Sequence, residues 1–461
     1  MIRTYSLDHE NKKPLYEQLY EAIRSDILRG QIAAGEKLPS KRALAEHLNI
    51  SKITVETAYA QLVAEGYLSA KERSGYFVEK IPLADAVPER VAPCGRAEQI
   101  QKRPGFSRSA ELFPFSVWAR LMRSVLLDKG ELLLQPVPNQ GVYALREAIA
   151  DDLFRRRGFR TRPEQIIIGA GAEYFYNQLI QFFGNERIYA LESPGHRNIA
   201  RVYEANGVRF VPIGMDADGI LPEELEKSGA SVLHLSPSHH YPTGIVTPIS
   251  RRQQIMRWLT EREGRFLVED DYDSEFRFSG RPIPTMQSMD WAGRVIYMNT
   301  FSKTIAPTLR ISYMILPERL LAQWEKKMGF YTCAVASFEQ YTLTRFVQDG
   351  SFERHLSRMK KYYRTLRAEL LEILSRPEIR AVCGVERADA GLHFILRFHT
   401  RLGDAALAQK LKQSGIDAPM LSEFYTHTAE KQAQGCAVLR YADLAPKEFE
   451  EAMEKLCAGL A

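Results

Sequence analysis

The sequence predicts a multidomain protein: a small, mostly helical N-terminal domain, a linker, and a larger α/β domain that ends in a small α+β subdomain. The chain has 461 residues, which is too many for one ordinary hydrophobic core. Apolar residues recur every four positions in much of residues 1–79. Beyond residue 109 short apolar runs alternate with helix-like segments, which predicts an α/β domain with a largely parallel sheet. Residues 80–108 are punctuated by prolines and lack an apolar period, which is typical of a linker.

The N-terminal domain, residues 1–79, is predicted to be a winged helix-turn-helix. "PLYEQLYEAIRSDILRG" carries one apolar stripe and predicts a helix that ends at Gly30. "LPSKRALAEHLNI" and "SKITVETAYAQLVAEGYL" predict two more helices, with Ser40 and Ser51 as their N-caps. The turn between them spans about three residues, the spacing of a helix-turn-helix. "GYLSAKERSGYFVEK" then predicts two short strands around a turn that holds Gly75.

Local charge favours DNA as the partner of this domain. The net charge of +5 is too small to indicate a nucleic-acid binder, but Lys37–Lys52 holds four basic residues and one acidic residue. The last helix of such a motif enters the major groove with its first turn at the base edges. The alternative is an ordinary solvated helical face. The candidate DNA-contacting residues at the two helix starts and the wing tip are Lys41, Arg42, Ser51, Lys52, Thr54 and Arg73.

The stretch Gly35–Leu68 also resembles the GntR-type winged helix. It follows the pattern G-x-x-L-P-S-x-R-x-L-A-x-x-L-x-I-S-x-x-T-V-x-x-A-Y-x-x-L-x-x-E-G-Y-L almost without a break. Position 52 is more often arginine in that family, and the lysine here lacks the bidentate fork of a guanidinium. The resemblance implies that the residues near DNA include Ser40, Arg42, Ser51, Lys52 and Thr54.

"TFSKTIAPTLR" (Thr300–Arg310) carries a lysine among groups that bind phosphate. Lys303 offers an amine nucleophile, Thr300 and Ser302 offer hydroxyls, and Arg310 offers a charged fork. "GAGAEYF" is predicted to end a strand and open a helix, whose free N–H groups also favour phosphate. An amine nucleophile beside a phosphate cradle is what pyridoxal 5'-phosphate (PLP) requires.

"LVEDDYDSEF" supplies the other groups that a pyridoxal ring needs. Asp270 is predicted to end an apolar strand, where a carboxylate requires a partner such as a protonated pyridine nitrogen. Tyr272, two residues later on an extended strand, is expected to face the same side and to reach the ring hydroxyl. The alternatives are a helix cap or a metal site. We expect no metal, because no histidine lies at ligand spacing in this segment.

Read in order, "NQGVYALREAIA", "GAGAE", "ESPGH", "SPSHHYPTG", "EDDYDSEF" and "TFSKTIAPTLR" resemble fold-type-I PLP enzymes, the aminotransferases. The last three segments, and the order of winged helix, linker and this domain, resemble the MocR-type regulators (the GabR group). The resemblance implies the PLP-dependent transferase fold, with Lys303 as the Schiff-base lysine, Asp270 on the ring nitrogen and Tyr272 on the ring oxygen. It implies phosphate contacts from Thr300, Ser302, Arg310, Gly171 and Ala172.

Four positions bear on the ligand. His196 stands where the family commonly has a tyrosine stacked on the ring, although a lone histidine is often only structural. His240 replaces a glutamine of the family segment, and Tyr241 stands where aminotransferases often have an asparagine near the ring oxygen. We expect the changes at His196 and His240 to line the ligand side of the cofactor. Arg440, in "AVLRYADL", is the candidate for a ligand carboxylate, with a surface or salt-bridged arginine as the alternative.

Three functions remain open from the sequence. The first is a transcriptional regulator that senses a small amine, an amino acid or PLP itself; the second is a working aminotransferase with an accessory DNA-binding head; the third is a DNA binder whose cofactor domain is inactive. The retained Lys303, Asp270, Tyr272 and Arg310 argue against the third. By analogy we expect a homodimer that reads two half-sites of double-stranded DNA.

The remaining expectations concern location and domain limits. The five cysteines are scattered without a C-x-x-C pair, and no apolar run approaches the roughly 18–20 residues of a membrane span. We therefore expect a cytoplasmic protein without a membrane segment. The second domain is expected at 109–461, with a large subdomain at about 125–330 and a small one at about 331–461.

Overall fold

The computed structural model describes residues 3–5, 7–8, 13–71, 74–80, 112–278, 283–389, 391–426 and 433–460. The chain divides into two compact units, Met1–Gln101 and Lys102–Ala461. Two sequence predictions, the linker beyond residue 80 and the wing-tip residue Arg73, lie outside the described residues. No helix within the described residues is long and apolar enough to cross a membrane.

The first unit is a winged helix-turn-helix, as the sequence predicted. Ser40 and Ser51 cap the second and third helices by accepting hydrogen bonds from the backbone N–H groups of Ala43 and Thr54. Asn49 ends the second helix in the left-handed conformation, which asparagine tolerates well. The elements are α1 Leu15–Leu28, α2 Lys41–Leu48, α3 Lys52–Ala64, β1 Leu68–Lys71 and β2 Gly75–Val78. The residues of the predicted stripes form its core, among them Leu19, Ile23, Leu44, Val55 and Leu62.

The second unit has the predicted fold-type-I architecture, with an eight-stranded sheet, a three-stranded sheet and flanking helices. The strands are β3 Ile166–Gly169, β4 Tyr189–Ser193, β5 Phe210–Asp216, β6 Gly219–Ile220, β7 Val232–Leu235, β8 Phe266–Asp270, β9 Val295–Thr300, β10 Ser312–Ile315, β11 Cys383–Glu386, β12 His393–Phe398 and β13 Cys436–Arg440. The helices are α4 Phe115–Lys129, α5 Tyr143–Arg157, α6 Ala172–Phe183, α7 Arg197–Ala205, α8 Pro222–Lys227, α9 Ile249–Glu261, α10 Glu318–Met328, α11 Ser337–Gln348, α12 Ser351–Leu374, α13 Pro377–Arg380, α14 Asp404–Ser414 and α15 Pro446–Leu460.

The large sheet is mixed rather than largely parallel. Its order is β3-β10-β9-β8-β7-β4-β5-β6. The pairings from β5 through β4, β7 and β8 to β9 are parallel, whereas β10 is antiparallel to both β9 and β3. β10 is antiparallel to β9 because the short loop after β9 brings the chain back directly beside that strand. A crossover to a parallel strand would need a longer connection.

The apolar strands of the large sheet are buried on both faces. In β3, Ile166 and Ile168 pack into one hydrophobic core and Ile167 into another. A strand with two buried faces reads as a continuous apolar run, which is the pattern of "IIIG". The small subdomain has its own core, where β11–β13 pack against α12, α14 and α15.

The strand directions gather several loops at one edge of the sheet. The parallel strands β4, β7, β8 and β9 all end there. Because β10 is antiparallel, it begins at the same edge, with Ser312 opposite both Thr300 and Gly169. The edge at the carboxyl ends of parallel strands is where α/β folds bind ligands.

Candidate cofactor and ligand site

Lys303 lies at this edge, in the loop that follows β9. Its side chain is exposed to solvent and makes no hydrogen bond or ion pair with the described residues. Protein atoms nevertheless surround the amine on several sides and displace part of its water. This desolvation lowers the pKa of the Lys303 amine. The charge of Asp273 raises that pKa, and the charge of Arg440 lowers it. An amine with a lowered pKa is more often unprotonated and therefore a better nucleophile.

Gly171 and Arg310 form a cradle for an anion. Gly171 precedes α6 with a φ of +102°, and a Cβ there would lie 2.5 Å from Nη2 of Arg310. The guanidinium therefore sits against the backbone at a helix amino terminus, where free N–H groups from Ala172 onward add to its field. Glu173, in the first turn of α6, accepts a hydrogen bond from Arg310. This carboxylate shows that the cradle attracts an anion, and it would have to yield to a phosphate.

Thr300 and Ser302 border the same loop, but their hydroxyls are engaged with its backbone. Thr300 Oγ1 donates to the carbonyl of Ile311 over 3.4 Å, and Ser302 Oγ donates to the carbonyl of Leu309 over 3.2 Å. Each hydroxyl can rotate toward a phosphate oxygen at the cost of one such bond.

Asp270 ends β8 as predicted, and two residues that the sequence did not indicate contact it. Tyr176 of α6 donates a hydrogen bond of 2.5 Å to Asp270 Oδ2, and His234 Nε2 of β7 lies 3.7 Å from the same oxygen. Burial and the nearby carboxylate raise the pKa of Tyr176 far above its usual range, so the phenol remains a donor. The carboxyl group is thus held in place for a cationic ring nitrogen.

Tyr272 does not lie on a strand, contrary to the expectation. β8 ends at Asp270, because the chain bends at Tyr272 and Asp273. The phenol instead meets His239, whose Nδ1 lies 3.3 Å from the Tyr272 hydroxyl. Burial raises the pKa of Tyr272 far above its usual range, with Asp273 and Asp270 adding to the effect.

His196 and Tyr241 lie together beside the site. Their ring centroids are 5.4 Å apart, and Tyr241 also packs against Phe424. His196 caps α7, since its Nδ1 accepts from the backbone N–H of Asn198. That bond requires an unprotonated Nδ1, and burial lowers the pKa of the imidazole in agreement. The structural role and a stacking role are compatible, because the cap uses only the edge of the ring.

His240 does not line the ligand side, and this expectation is wrong. Its side chain is 1% exposed and lies between Thr243, 2.6 Å from Nδ1, and Glu192, 3.5 Å from Nε2. Burial lowers the pKa of His240 to about 3 and raises that of Glu192 to about 8. At neutral pH the two groups are therefore a neutral pair rather than a salt bridge.

Arg440 ends β13, and its charge acts on Lys303 and on Tyr241. Burial raises the pKa of Tyr241, and Arg440 offsets part of that rise. Arg440 has no ion pair with the part of the chain that the structure describes.

A cavity of about 220 Å³ lies beside His196, between the start of α7 and residues 423–426. Its walls carry Arg197 and Arg201 but also Glu192, Glu204 and Glu423. Arg197 is paired with Glu423 over 2.7 Å. The charge of Arg440 reaches Lys303, so Arg440 is the candidate for a ligand carboxylate.

Histidines do lie near the acidic segment in the folded chain, although the sequence shows none at ligand spacing. The fold brings two histidines to the acidic segment: His239, Asp273 and His393 are all buried, with candidate ligand atoms within 4.8 Å of one another. Sequence spacing could not reveal this group, because His393 comes from β12. The absence of a metal remains an expectation.

The donor set fits PLP. Its dianionic phosphate matches the cradle at Gly171 and Arg310, its ring nitrogen matches the buried carboxylate of Asp270, and its aldehyde matches the free amine of Lys303. The positive φ of Gly171 together with the close guanidinium is the decisive feature, because a side chain there would fill the cradle.

In the first unit, the candidate DNA-contacting residues cluster at the starts of α2 and α3. Lys41 Nζ bonds Glu56 of α3 over 2.5 Å, and Arg42 pairs with Glu46 over 3.0 Å on an exposed surface. Lys52 is exposed, and beside it Ile53 is 75% exposed. Ser40 and Ser51 serve as caps, and the Thr54 hydroxyl lies 2.8 Å from that of Ser51.

Two family models match the chain. Residues 15–78 match the bacterial regulatory proteins of the gntR family, and residues 107–456 match aminotransferase class I and II. Among curated proteins, the uncharacterized HTH-type transcriptional regulator YdeL of Bacillus subtilis (strain 168) is 36% identical over 97% of this chain and 96% of its own length. The probable rhizopine catabolism regulatory protein MocR of Rhizobium meliloti is 32% identical over 98% of this chain and 94% of its own length.

The chain belongs to the MocR-type transcriptional regulators. The HTH-type pyridoxine biosynthesis transcriptional regulator PdxR of Corynebacterium glutamicum is a further relative, 31% identical over 82% of each chain. Among solved structures, the α-aminoadipate aminotransferase LysN of Thermus thermophilus, complexed with N-(5'-phosphopyridoxyl)-L-leucine, superimposes with a TM-score of 0.66. It is 25% identical and covers 76% of this chain and 89% of its own. This MocR-type regulator therefore combines a GntR-type helix-turn-helix with an aminotransferase-like domain.

Proposed function

We propose that this regulator binds PLP through Lys303, senses a small amine or PLP itself at that site, and changes its affinity for DNA in response. The observation that carries the proposal is the assembly of a free amine, a buried carboxylate and an anion cradle at one sheet edge. When bound, PLP supplies an aldehyde that condenses reversibly with amines.

Each residue has one role in this proposal. Lys303 would hold the cofactor through its amine, Arg310 and the start of α6 would bind its phosphate, and Asp270 would hold the proton of its ring nitrogen. Tyr176 orients Asp270 through its 2.5 Å hydrogen bond. Arg440, whose charge reaches Lys303, favours a ligand that carries a carboxylate, so we propose an amino acid as the amine.

We further propose a homodimer that reads two half-sites. Supporting this, α4 and the turn after it expose four leucines, Leu126, Leu127, Leu132 and Leu134, at 46, 79, 42 and 78%. An exposed apolar patch of this kind is typical of an interaction surface. Sedimentation of the purified protein tests it: a monomer at micromolar concentration would contradict the dimer.

The first test is the visible absorption spectrum of the full-length protein with added PLP. We expect a yellow band in the wild type, its complete loss in Lys303→Ala, and no change in Lys326→Ala, which removes an exposed lysine from the end of α10. A colourless wild type, or a band that survives Lys303→Ala, would refute cofactor binding through Lys303.

The second test adds a panel of amino acids and amines while DNA binding is measured. One amine is expected to shift the band and to change DNA affinity by roughly 5-fold or more, since allosteric coupling is typically 1–3 kcal/mol. Sustained conversion of the amine with a keto acid would instead establish an aminotransferase. A band shift without any change in DNA affinity would refute the sensing role.

A further inference from the structure

His239 lies behind Tyr272 and is held by Asp273. Its Nδ1 is 2.9 Å from Asp273 Oδ2 and 3.3 Å from the Tyr272 hydroxyl. Both His239 and Asp273 are buried, at 3 and 4% exposure. Nε2 of His239 has no partner among the described residues. One ring nitrogen thus stands between a carboxyl group and the phenol of Tyr272, the residue that the resemblance to aminotransferases assigns to the ring oxygen.

The imidazole cannot rotate away from these partners. A Cβ at Gly391 would lie 1.8 Å from Cε1 of His239, so only a glycine leaves room for the ring. Gly391 also has a φ of +70°, which favours glycine. On another side, a Cβ at Gly244 would lie 3.8 Å from Nε2, and the His393 ring packs 4.6 Å away between centroids. With the ring fixed, the variable that remains is which nitrogen carries the proton.

Asp273 determines which ring nitrogen of His239 carries the proton. A carboxylate can only accept, so Nδ1 must carry the hydrogen that lies between it and Asp273. A protonated Nδ1 cannot accept from Tyr272. The hydroxyl oxygen of Tyr272 then faces the N–H of His239. The hydroxyl proton of Tyr272 must therefore point away from the imidazole.

We propose that Asp273 and His239 are positioning residues that direct the hydroxyl proton of Tyr272 away from the imidazole and toward the ring oxygen of the cofactor. The inference rests on the proposed function, because that ring oxygen belongs to PLP. Other charged and titratable groups that act on Tyr272 are Asp270, Glu192 and Tyr241.

The first experiment needs no cofactor. Full-length protein labelled with ¹⁵N in its histidine rings reports the tautomer of His239, which is assigned by the signal lost in His239→Gln. We expect hydrogen on Nδ1 in the wild type and on Nε2 in Asp273→Asn, where the amide can donate to Nδ1. Hydrogen on Nε2 in the wild type would overturn the proposal. So would one equivalent of a transition metal that remains bound to the purified protein, because a metal would take a ring nitrogen.

The second experiment measures the pH midpoint at which the visible band of PLP-loaded protein changes. Asp273→Asn is expected to shift this midpoint in two ways, which have opposite signs. Asp273 raises the pKa of Lys303 by its charge, so Asp273→Asn lowers the midpoint by charge alone. Loss of the Tyr272 hydrogen bond to the ring oxygen removes a stabiliser of its negative charge and raises the midpoint. Only the second effect requires the Tyr272 hydroxyl.

The readout is therefore a double-mutant cycle. In the Tyr272→Phe background, Asp273→Asn should lower the pH midpoint. When Tyr272 is present, Asp273→Asn should lower the midpoint less, or raise it. The two shifts should differ by about half a pH unit or more. Asp443→Asn is the matched control, because Asp443 also raises the pKa of Lys303 by its charge, and it should shift both backgrounds equally. Equal shifts for Asp273→Asn in both backgrounds would overturn the proposal. A protein without any band refutes the proposed function instead, and the NMR result still decides the tautomer.

Discussion

The two units of this regulator build their candidate sites in different ways. In the N-terminal unit, the described candidate residues lie within the single stretch Ser40–Thr54, and their main contacts are with neighbours in that stretch or with Glu56. In the second unit, they come from separate segments between Gly171 and Arg440 and meet only because the strands end at one edge. A local site can lose one member and keep the others in place. An assembled site is expected to fail as a whole.

The largest expected effect tests the assembled site at its anion cradle. Gly171→Ala places a Cβ 2.5 Å from the Arg310 guanidinium at a φ of +102°. We expect PLP affinity to fall at least 10-fold and the free energy of unfolding to fall by about 1–3 kcal/mol. Equilibrium titration of the visible band and denaturant unfolding measure the two quantities.

Gly158→Ala is the matched control for that change. Gly158 also has a positive φ, +72°, but a Cβ there meets nothing within 4 Å. It should cost about 1 kcal/mol of stability and leave PLP affinity unchanged. If both variants lower PLP affinity equally, backbone strain rather than the Arg310 contact is responsible, and the cradle has been assigned wrongly.

A smaller effect concerns the buried pair of Glu192 and His240. The pKa of Glu192 is raised to about 8 in the folded chain, so its contribution to stability is fully present below the unfolded value of about 4.5 and is lost as the pH rises toward 8. Glu192→Gln removes this pH-dependent loss of stability, because glutamine does not ionise. Between pH 5 and pH 8.5, the variant should gain on the order of 2 kcal/mol relative to the wild type, since each pKa unit is worth about 1.4 kcal/mol and the side chain keeps some solvent contact.

Denaturant unfolding at several pH values measures this gain. His240 also titrates abnormally, but it is present in both proteins, and the difference isolates Glu192. Glu186→Gln, at an exposed site, should show a flat difference across the same range. A flat difference for Glu192→Gln as well would mean that the carboxyl is ionised in the folded protein and that the pair is a salt bridge.

The contrast between the units also explains what the sequence could predict. The caps Ser40 and Ser51, and the turn between α2 and α3, follow from neighbours in the chain. Lys303 and Asp270 could be nominated because each lies beside its strand end within one motif. Tyr176 and His239 could not, because their contacts depend on the order of strands in the sheet. The sequence misplaces Tyr272 because the strand does not continue two residues past Asp270, and it misplaces His240 because its motif does not show which way the chain turns.

The smallest expected effect tests the local site. The exposed ion pair between Lys41 and Glu56 links α2 to α3, and exposed pairs of this kind contribute little to stability because water and salt screen them. Glu56→Ala should therefore change stability little, yet it frees Lys41 and removes a negative charge beside Lys52. We expect binding to a fluorescent duplex of mixed sequence, about 40 bp long, to strengthen by roughly 3-fold at low salt, and the gain to shrink as salt rises.

Glu17→Ala is the control for charge alone, because it removes one carboxylate from the first turn of α1. If the two variants strengthen DNA binding equally, the unit responds only to its total charge and Lys41 does not contact phosphate. If Glu56→Ala weakens binding instead, the ion pair is needed to hold α2 against α3 in the DNA-bound geometry. The N-terminal site would then be assembled across elements in the same sense as the cofactor site, and the distinction between the two units would not hold.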